Sequence, residues 1–96
     1  MTDRSRRNMK GQVVVVTGAS AGVGRATARR FARAGASLAI LAREEEALLE
    51  TKRELEFYGG RVVALPLDVA DAEAVFAATD DIERTLGPIE VWVNNA

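Results

Sequence analysis

Hydrophobic residues along this chain fall into two kinds of stretch that alternate from end to end. Four short stretches are almost continuously apolar and predict strands, and the first, residues 13–17, is typical of a parallel sheet covered on both faces. We predict these strands at residues 13–17, 38–41, 62–67 and 89–93. Three longer stretches between them place apolar residues three and four apart, which predicts amphipathic helices over residues 22–34, 44–58 and 71–86.

The alternation of strands and helices with short connections predicts an α/β domain over residues 11–96. Right-handed crossovers then give a parallel sheet with helices on both faces and the strand order 3-2-1-4. This is the first half of a Rossmann-like, doubly wound fold with three α/β/α layers. A ligand is expected at the carboxyl-terminal edge of the first strand, beside the point where the strand order reverses.

Each predicted helix should turn its apolar stripe toward the sheet. Asp71 is expected to cap the third helix, and Gly35 to follow the first helix in a left-handed conformation. The expected inner residues are Val23, Ala26, Thr27, Ala28 and Phe31 in the first helix, Ala47, Leu48, Thr51, Leu55 and Tyr58 in the second, and Ala72, Val75, Phe76, Thr79 and Ile82 in the third.

Three glycines follow the first strand directly. Gly18 permits a tight turn, Gly22 lets a pyrophosphate approach the backbone, and Gly24 lets the following helix pack closely. Unpaired N–H groups and the helix dipole would attract an anion to this turn. A Walker A loop is excluded because no Gly-Lys-Ser/Thr follows, and the G-x-G-x-x-G spacing is also absent. A glycine-rich turn without a ligand is the alternative.

The composition of the 96 residues excludes several kinds of protein and site. The chain lacks cysteine and histidine, so we expect no disulfide, no metal site and no His-based triad. No apolar run approaches the ~20 residues of a membrane span, and no secretory h-region begins the chain, so a cytoplasmic location is expected.

Charge is distributed unevenly: residues 1–10 carry a net charge of +3 and the remainder −4. We interpret residues 1–10 as a flexible basic tail, with contact to nucleic acid or a membrane as the alternative. Arg25, Arg29 and Arg33 form a stripe without aromatic platforms, which favours a solvated helix face over a nucleic-acid surface.

Three motifs in this chain resemble those of the classical branch of the short-chain dehydrogenase/reductase family. Residues 17–24, Thr-Gly-Ala-Ser-Ala-Gly-Val-Gly, resemble its T-G-x-x-x-G-x-G signature. Asp68-Val69 resembles its adenine-binding D-V, and Asn94-Asn95-Ala96 the start of its N-N-A-G element. The resemblance covers nearly the whole chain. It implies an oxidoreductase that binds a nicotinamide dinucleotide and transfers hydride to or from a small carbonyl or alcohol substrate.

The resemblance also implies individual roles. Loop backbone groups would hold the pyrophosphate, with a further contact from the Ser20 hydroxyl. Asp68 would accept from the adenine amino group, or would only cap nearby N–H groups. Asn95 would contact the ribose, while Asn94 would tie neighbouring strands together. The expected cofactor-binding residues are Thr17, Gly18, Ala19, Ser20, Ala21, Gly22, Val23, Gly24, Arg43, Asp68, Val69 and Asn95.

The choice between NADP and NAD depends on the end of the second strand. A carboxylate about 20 residues past the loop would bind the ribose 2′-OH of NAD. Ala42 stands there instead and Arg43 follows, which favours NADP because a guanidinium can bind two phosphate oxygens. Two observations oppose this: Ala21 lacks the family's basic residue before the second glycine, and Glu44, Glu45 and Glu46 could neutralise Arg43.

No catalytic residue can be assigned in this chain. By resemblance, the family's catalytic Ser, Asn and Tyr-x-x-x-Lys lie beyond the N-N-A-G element, and the only tyrosine, Tyr58, is followed by Val62 four residues on. We therefore expect the coenzyme-binding portion of a longer, homo-oligomeric enzyme, inactive alone. A non-catalytic dinucleotide-binding or interaction module is the alternative. The last strand, with Trp92, should form an exposed edge.

Overall fold

The computed structural model describes residues 9–95, so the basic tail lies outside it except for Met9 and Lys10. Strands and helices alternate along the described chain, as predicted. The elements are β1 (Val13–Thr17), α1 (Gly22–Arg33), β2 (Ser37–Ala42), α2 (Glu45–Glu56), β3 (Val62–Pro66), α3 (Ala72–Leu86) and β4 (Ile89–Val93).

The four strands form one parallel sheet in the order β3-β2-β1-β4, which confirms the predicted topology. The order reverses at β1, because β2 and β3 lie on one side of it and β4 on the other. All five residues of β1 are buried, which explains why this strand is an unbroken apolar run rather than an alternating one. The carboxyl ends of all four strands meet at one edge.

Helices cover both faces of the sheet, which gives the predicted three layers. Val14 and Val16 of β1 face a core that α1 and α2 complete. Val13 and Val15 face the opposite way, into a smaller core that contains Ile82 of α3. The alternation of side chains along β1 therefore divides four consecutive valines between two cores.

The expected inner face of α1 is partly wrong. Its buried residues are Gly24, Ala28 and Ala32, which recur every four residues. Val23 is 75% exposed and Ala26 is also exposed. These two residues share a different face of the helix because they are three apart. The predicted face is correct at Ala28 and at Phe31, which is partly buried and packs against the core.

The expected inner face of α3 is wrong at two positions. Ala78 and Ile82 are buried, whereas Ala72 is exposed and Phe76 is 81% exposed. Ala72 and Phe76 lie four residues apart, on a face that turns away from the sheet. The cap of α3 is confirmed, since the Asp71 carboxylate accepts a 3.1 Å bond from the N–H of Ala74.

The expected inner face of α2 is confirmed by its buried residues, Leu48, Thr51 and Leu55. Gly35 follows α1 with a φ of +95°, as predicted for a helix C-terminus. In the described part of the chain, strand β4 pairs only with β1 and forms one edge of the sheet, where Trp92 is 39% exposed. Within residues 9–95 no helix combines the length and the apolar character that crossing a bilayer requires.

Candidate functional site

At two positions of the loop only glycine fits, because another backbone segment lies too close for a side chain. Gly18 has a φ of +63°, and a Cβ there would lie 2.8 Å from the carbonyl oxygen of Asn95. A Cβ on Gly24 would lie 1.9 Å from the carbonyl oxygen of Gly18. Gly24 therefore permits contact between α1 and its own preceding loop, and not only the contact with the sheet that its spacing suggested.

Gly22 has a different surrounding, because a Cβ added there would meet nothing within 4 Å. Its φ of +58° turns the chain into α1, where Ala21 provides no side-chain cap and the first turn contains no acidic residue. The first backbone bond of the helix runs from the N–H of Arg25 to the oxygen of Ala21. The space beside Gly22 thus lies at the positive end of the helix dipole, where an anion can bind.

A hydrogen-bonded link joins the ends of β1 and β4 beside this loop. The Thr17 hydroxyl donates to Oδ1 of Asn94 at 2.8 Å and accepts from the Asn95 N–H at 3.0 Å. The Asn95 side-chain amide donates to the Thr17 carbonyl at 3.1 Å. Both asparagines therefore tie the strands together, although the sequence suggested that role for Asn94 alone.

A groove of about 190 Å³ opens at the carboxyl-terminal edge of the sheet, where a doubly wound fold binds its ligand. It brings together several predicted residues from four separate parts of the chain. Its lining consists of Gly18, Ala42, Arg43, Glu44, Leu67, Asp68, Val69 and Asn95. Ser20 and Val23 are absent from this lining; Ser20 is nearly buried within the loop, and Val23 projects from the first turn of α1.

Asp68 has a local structural role at the end of β3. Its Oδ1 accepts a 2.9 Å bond from the N–H of Ala70, as the alternative interpretation of this residue required. The same carboxylate lines the groove. A carboxylate can accept several hydrogen bonds at once, so this turn contact leaves acceptor sites for a ligand.

The contact between Ser20 and Glu44 was not predicted from the sequence. Ser20 is 9% exposed, and its hydroxyl donates to Oε1 of Glu44 at 3.0 Å. Arg43, next to Glu44, is exposed and has no ion-pair partner among residues 9–95. Arg43 thus forms no ion pair with Glu44, Glu45 or Glu46 within these residues, although the three carboxylates follow it directly in the chain. The sequence could not have indicated this contact, since 24 residues separate the two side chains.

The arginine stripe of α1 is not a simple solvated face. Glu54 of α2 accepts from Nε of Arg25 at 2.9 Å and also pairs with Arg29. The hydrogen bond from Arg29 holds the pKa of the Glu54 carboxyl below its ordinary value, with a further contribution from Arg25. Arg33 lies over the Tyr58 ring, 5.6 Å from its centroid. These contacts join α1 to α2 and to the turn that follows α2.

A larger cavity of about 290 Å³ lies far from the glycine loop, around the turns that follow α1 and α2. Lys10, Arg33 and Tyr58 contribute side chains to it. These turns precede β2 and β3, so the cavity lies at the amino-terminal edge of the parallel sheet. The topology thus separates Tyr58 from the groove, which contains five of the predicted cofactor residues: Gly18, Arg43, Asp68, Val69 and Asn95.

A comparison with known families agrees with this geometry. The profile described as short chain dehydrogenase matches residues 12–96, which include the loop and every residue of the groove. The chain belongs to the short chain dehydrogenase family. The motif resemblance and the doubly wound fold are both confirmed by this result and by the solved structures of short chain dehydrogenases.

Individual short chain dehydrogenases are similar over most of this chain. One from Pseudocercospora fijiensis is 36% identical over 94 residues, which are 98% of this chain and 30% of that protein. The L-sorbose reductase of Gluconobacter frateurii, in complex with NADPH and L-sorbose, matches with a TM-score of 0.87 at 38% identity, over 92% of this chain and 34% of that one. An NAD+-bound xylitol dehydrogenase matches with a TM-score of 0.88 at 35% identity, over the same two shares. The chain thus spans about a third of the length of these short chain dehydrogenases.

Proposed function

We propose that this chain is the NADP(H)-binding portion of an oxidoreductase that interconverts a carbonyl and an alcohol. The observation that carries the proposal is the common position of two features at one edge of the sheet. The open N-terminus of α1 provides N–H donors for an anion, and the adjoining groove provides Arg43, Asp68 and Asn95. A dinucleotide matches these two features, because its pyrophosphate is joined to a ribose and an adenine: the pyrophosphate suits the anion site, and the ribose and adenine suit the groove.

In this proposal the backbone of residues 18–24 holds the pyrophosphate. Gly22 gives the ligand room because no atom lies within 4 Å of its missing Cβ. Asp68 and Val69 border the adenine, with the free acceptor sites of the Asp68 carboxylate turned to its amino group. Asn95 borders the ribose, and its bond to the Thr17 carbonyl fixes the amide in place.

Two features at the end of β2 support NADP over NAD. Ala42 provides no carboxylate for a ribose 2′-OH, and Arg43, which has no ion-pair partner within residues 9–95, lines the groove beside it. A guanidinium binds phosphate through two parallel hydrogen bonds, which no neutral hydroxyl can match. The similar proteins include both an NADPH complex and an NAD+ complex. The preference for NADP therefore rests on Ala42 and Arg43 of this chain.

The chemistry of the proposed reaction comes from the nicotinamide, which supplies or accepts a hydride when the cofactor is bound. The described residues contribute binding and orientation. The Thr17–Asn94–Asn95 link holds the end of β4 against β1, so the two strand ends keep a fixed spacing beside the cofactor. By the family resemblance, the acid/base residues lie outside this chain.

The proposal is tested by titrating the protein with NADPH and NADH and measuring the two dissociation constants. Arg43→Ala should weaken NADPH by about tenfold or more, as expected for one charge-assisted contact, and leave NADH nearly unchanged. Arg61→Ala is the matched control, because Arg61 is an exposed arginine immediately before β3, at the opposite edge of the sheet. Equal losses for the two cofactors in Arg43→Ala would refute the preference for NADP. Binding of neither cofactor by the unmodified protein would refute the function itself.

A further inference from the structure

The hydrogen bond between Ser20 and Glu44 joins the glycine loop to the start of α2. Glu44 is the N-cap residue of α2, yet its side chain makes no hydrogen bond to that helix. Its carboxylate reaches the loop before α1 instead and accepts from the Ser20 hydroxyl at 3.0 Å. Ser20 is 9% exposed whereas Glu44 is exposed, so a buried hydroxyl restrains a carboxylate that lies at the protein surface.

The place where the carboxylate is held matters because of its neighbour. Glu44 and Arg43 both line the groove, and Arg43 keeps its charge free of any ion pair within residues 9–95. A phosphate bound by Arg43 therefore lies near a second, fixed negative charge. Two like charges close together repel each other, and salt reduces this repulsion because Arg43 and Glu44 are both exposed.

We propose that Glu44 is a specificity-determining residue whose carboxylate, positioned by Ser20, opposes binding of a ribose 2′-phosphate. This inference rests on the proposed binding of a nicotinamide dinucleotide. Arg43 attracts the 2′-phosphate and Glu44 repels it, so the two residues act against each other on the same group. The ratio of the NADH and NADPH dissociation constants is consequently smaller than it would be if Arg43 acted alone.

The charge of Glu44 can be removed without changing its shape. Glu44→Gln keeps an acceptor oxygen for Ser20 and should tighten NADPH about fivefold, the order expected for one nearby charge at a partly solvated site, with no change for NADH. The pair 2′,5′-ADP and ADP should respond in the same way, because the two nucleotides differ only in the 2′-phosphate. Glu45→Gln is the matched control: it removes the same charge from the next residue of the same helix start, which does not line the groove.

The role of Ser20 requires its own test, since a loop serine could affect both cofactors through the pyrophosphate. The readout is therefore the ratio of the NADPH and NADH dissociation constants, from which any contribution common to both cofactors cancels. In a Ser20→Ala background the carboxylate is no longer held, so Glu44→Gln should change this ratio clearly less than it does in the unmodified protein. A coupling of this kind is what a double-mutant cycle measures.

The outcomes separate the inference from the function on which it rests. If the unmodified protein binds neither cofactor, the proposed function fails and the inference fails with it. If NADPH binds but Glu44→Gln shifts the ratio no more than Glu45→Gln does, the inference alone is overturned. An effect of Glu44→Gln that is unchanged or larger in the Ser20→Ala background overturns the positioning role of Ser20.

Discussion

Replacing Gly24 by alanine is the sharpest test of how the loop is built. The new Cβ would lie 1.9 Å from the carbonyl oxygen of Gly18, whereas real Cβ atoms keep at least 3.0 Å from such neighbours. Relief requires a backbone shift of about an ångström, since the obstacle is a carbonyl and not the end of a flexible side chain. The loop cannot easily shift, because the N–H of Ala19 bonds to the carbonyl of Leu41 and the Ala19 side chain is buried.

The expected cost follows from two opposing contributions. Overpacking a rigid site destabilises by about 1–3 kcal/mol and sometimes more, and this contact is with backbone, so the upper end applies. Alanine gains about 1 kcal/mol over glycine inside a helix. We therefore expect Gly24→Ala to lower the free energy of unfolding by roughly 2–3 kcal/mol.

Gly22→Ala provides the contrast, because its Cβ would enter open space. Its φ of +58° costs a side chain about 1–2 kcal/mol, partly offset by the smaller entropy of the unfolded chain. We expect a net loss of stability below about 1 kcal/mol. The same Cβ would occupy the space that the proposed pyrophosphate needs, so Gly22→Ala should lose NADPH binding while remaining folded.

The assay is urea unfolding, followed by the fluorescence of Trp92, the only tryptophan of the chain. With a slope of about 1–2 kcal/mol per molar urea, Gly24→Ala should lower the midpoint by roughly 1–3 M and Gly22→Ala by much less. Equal midpoints for the two variants would refute the argument, because they would show that the contact between Gly24 and Gly18 does not limit the packing of the loop.

Two further predictions concern α2. Glu54→Gln should remove a pH-dependent part of the stability: Arg29 and Arg25 lower the pKa of Glu54, so its stabilising effect is full above the unfolded value of about 4.3 and is lost as the pH falls through the lower folded value. Urea midpoints of the variant should therefore change less than those of the unmodified protein between about pH 5 and pH 3, and parallel curves would contradict this. Leu55→Ala, at a fully buried position, should cost about 2–5 kcal/mol, whereas Leu49→Ala, at a position 38% exposed on the same helix, should cost less than about 1 kcal/mol.

The order and type of the elements could be predicted from the sequence because each has a distinct period. Short, mainly apolar runs mark the strands, and the bounds of β1 and β4 are confirmed without change. Helix α2 is shorter than predicted, covering Glu45–Glu56, because Phe57 and Tyr58 already belong to the turn that follows it. The strand order 3-2-1-4 followed from the handedness of the crossovers, which is a general property of parallel sheets.

Orientation of the helices was harder to predict, and the misplaced residues have one cause in common. Hydrophobic patterning assumes that the largest apolar residues face the sheet, but Val23 and Phe76 face away from it. The inner stripe of α1 consists of glycine and alanine, which permit close approach, and that of α3 combines Ala78 with Ile82. The side-chain volume that fits between a helix and the sheet depends on the packed structure. A pattern of hydrophobic residues gives little information about it.

The same distinction applies to the site: the positions of its residues could be predicted from the sequence, but their contacts depend on packing. Parallel topology brings the ends of all strands to one edge, so the sequence could place Arg43, Asp68 and Asn95 in one groove. It could not reveal which hydrogen bonds these groups already make. The decisive case is Glu44: in the sequence it is the nearest carboxylate to Arg43 and an obvious partner for it, but the fold directs its side chain onto Ser20. Within residues 9–95 Arg43 consequently forms no ion pair with Glu44, although both residues line the groove and the charge of Glu44 remains beside it.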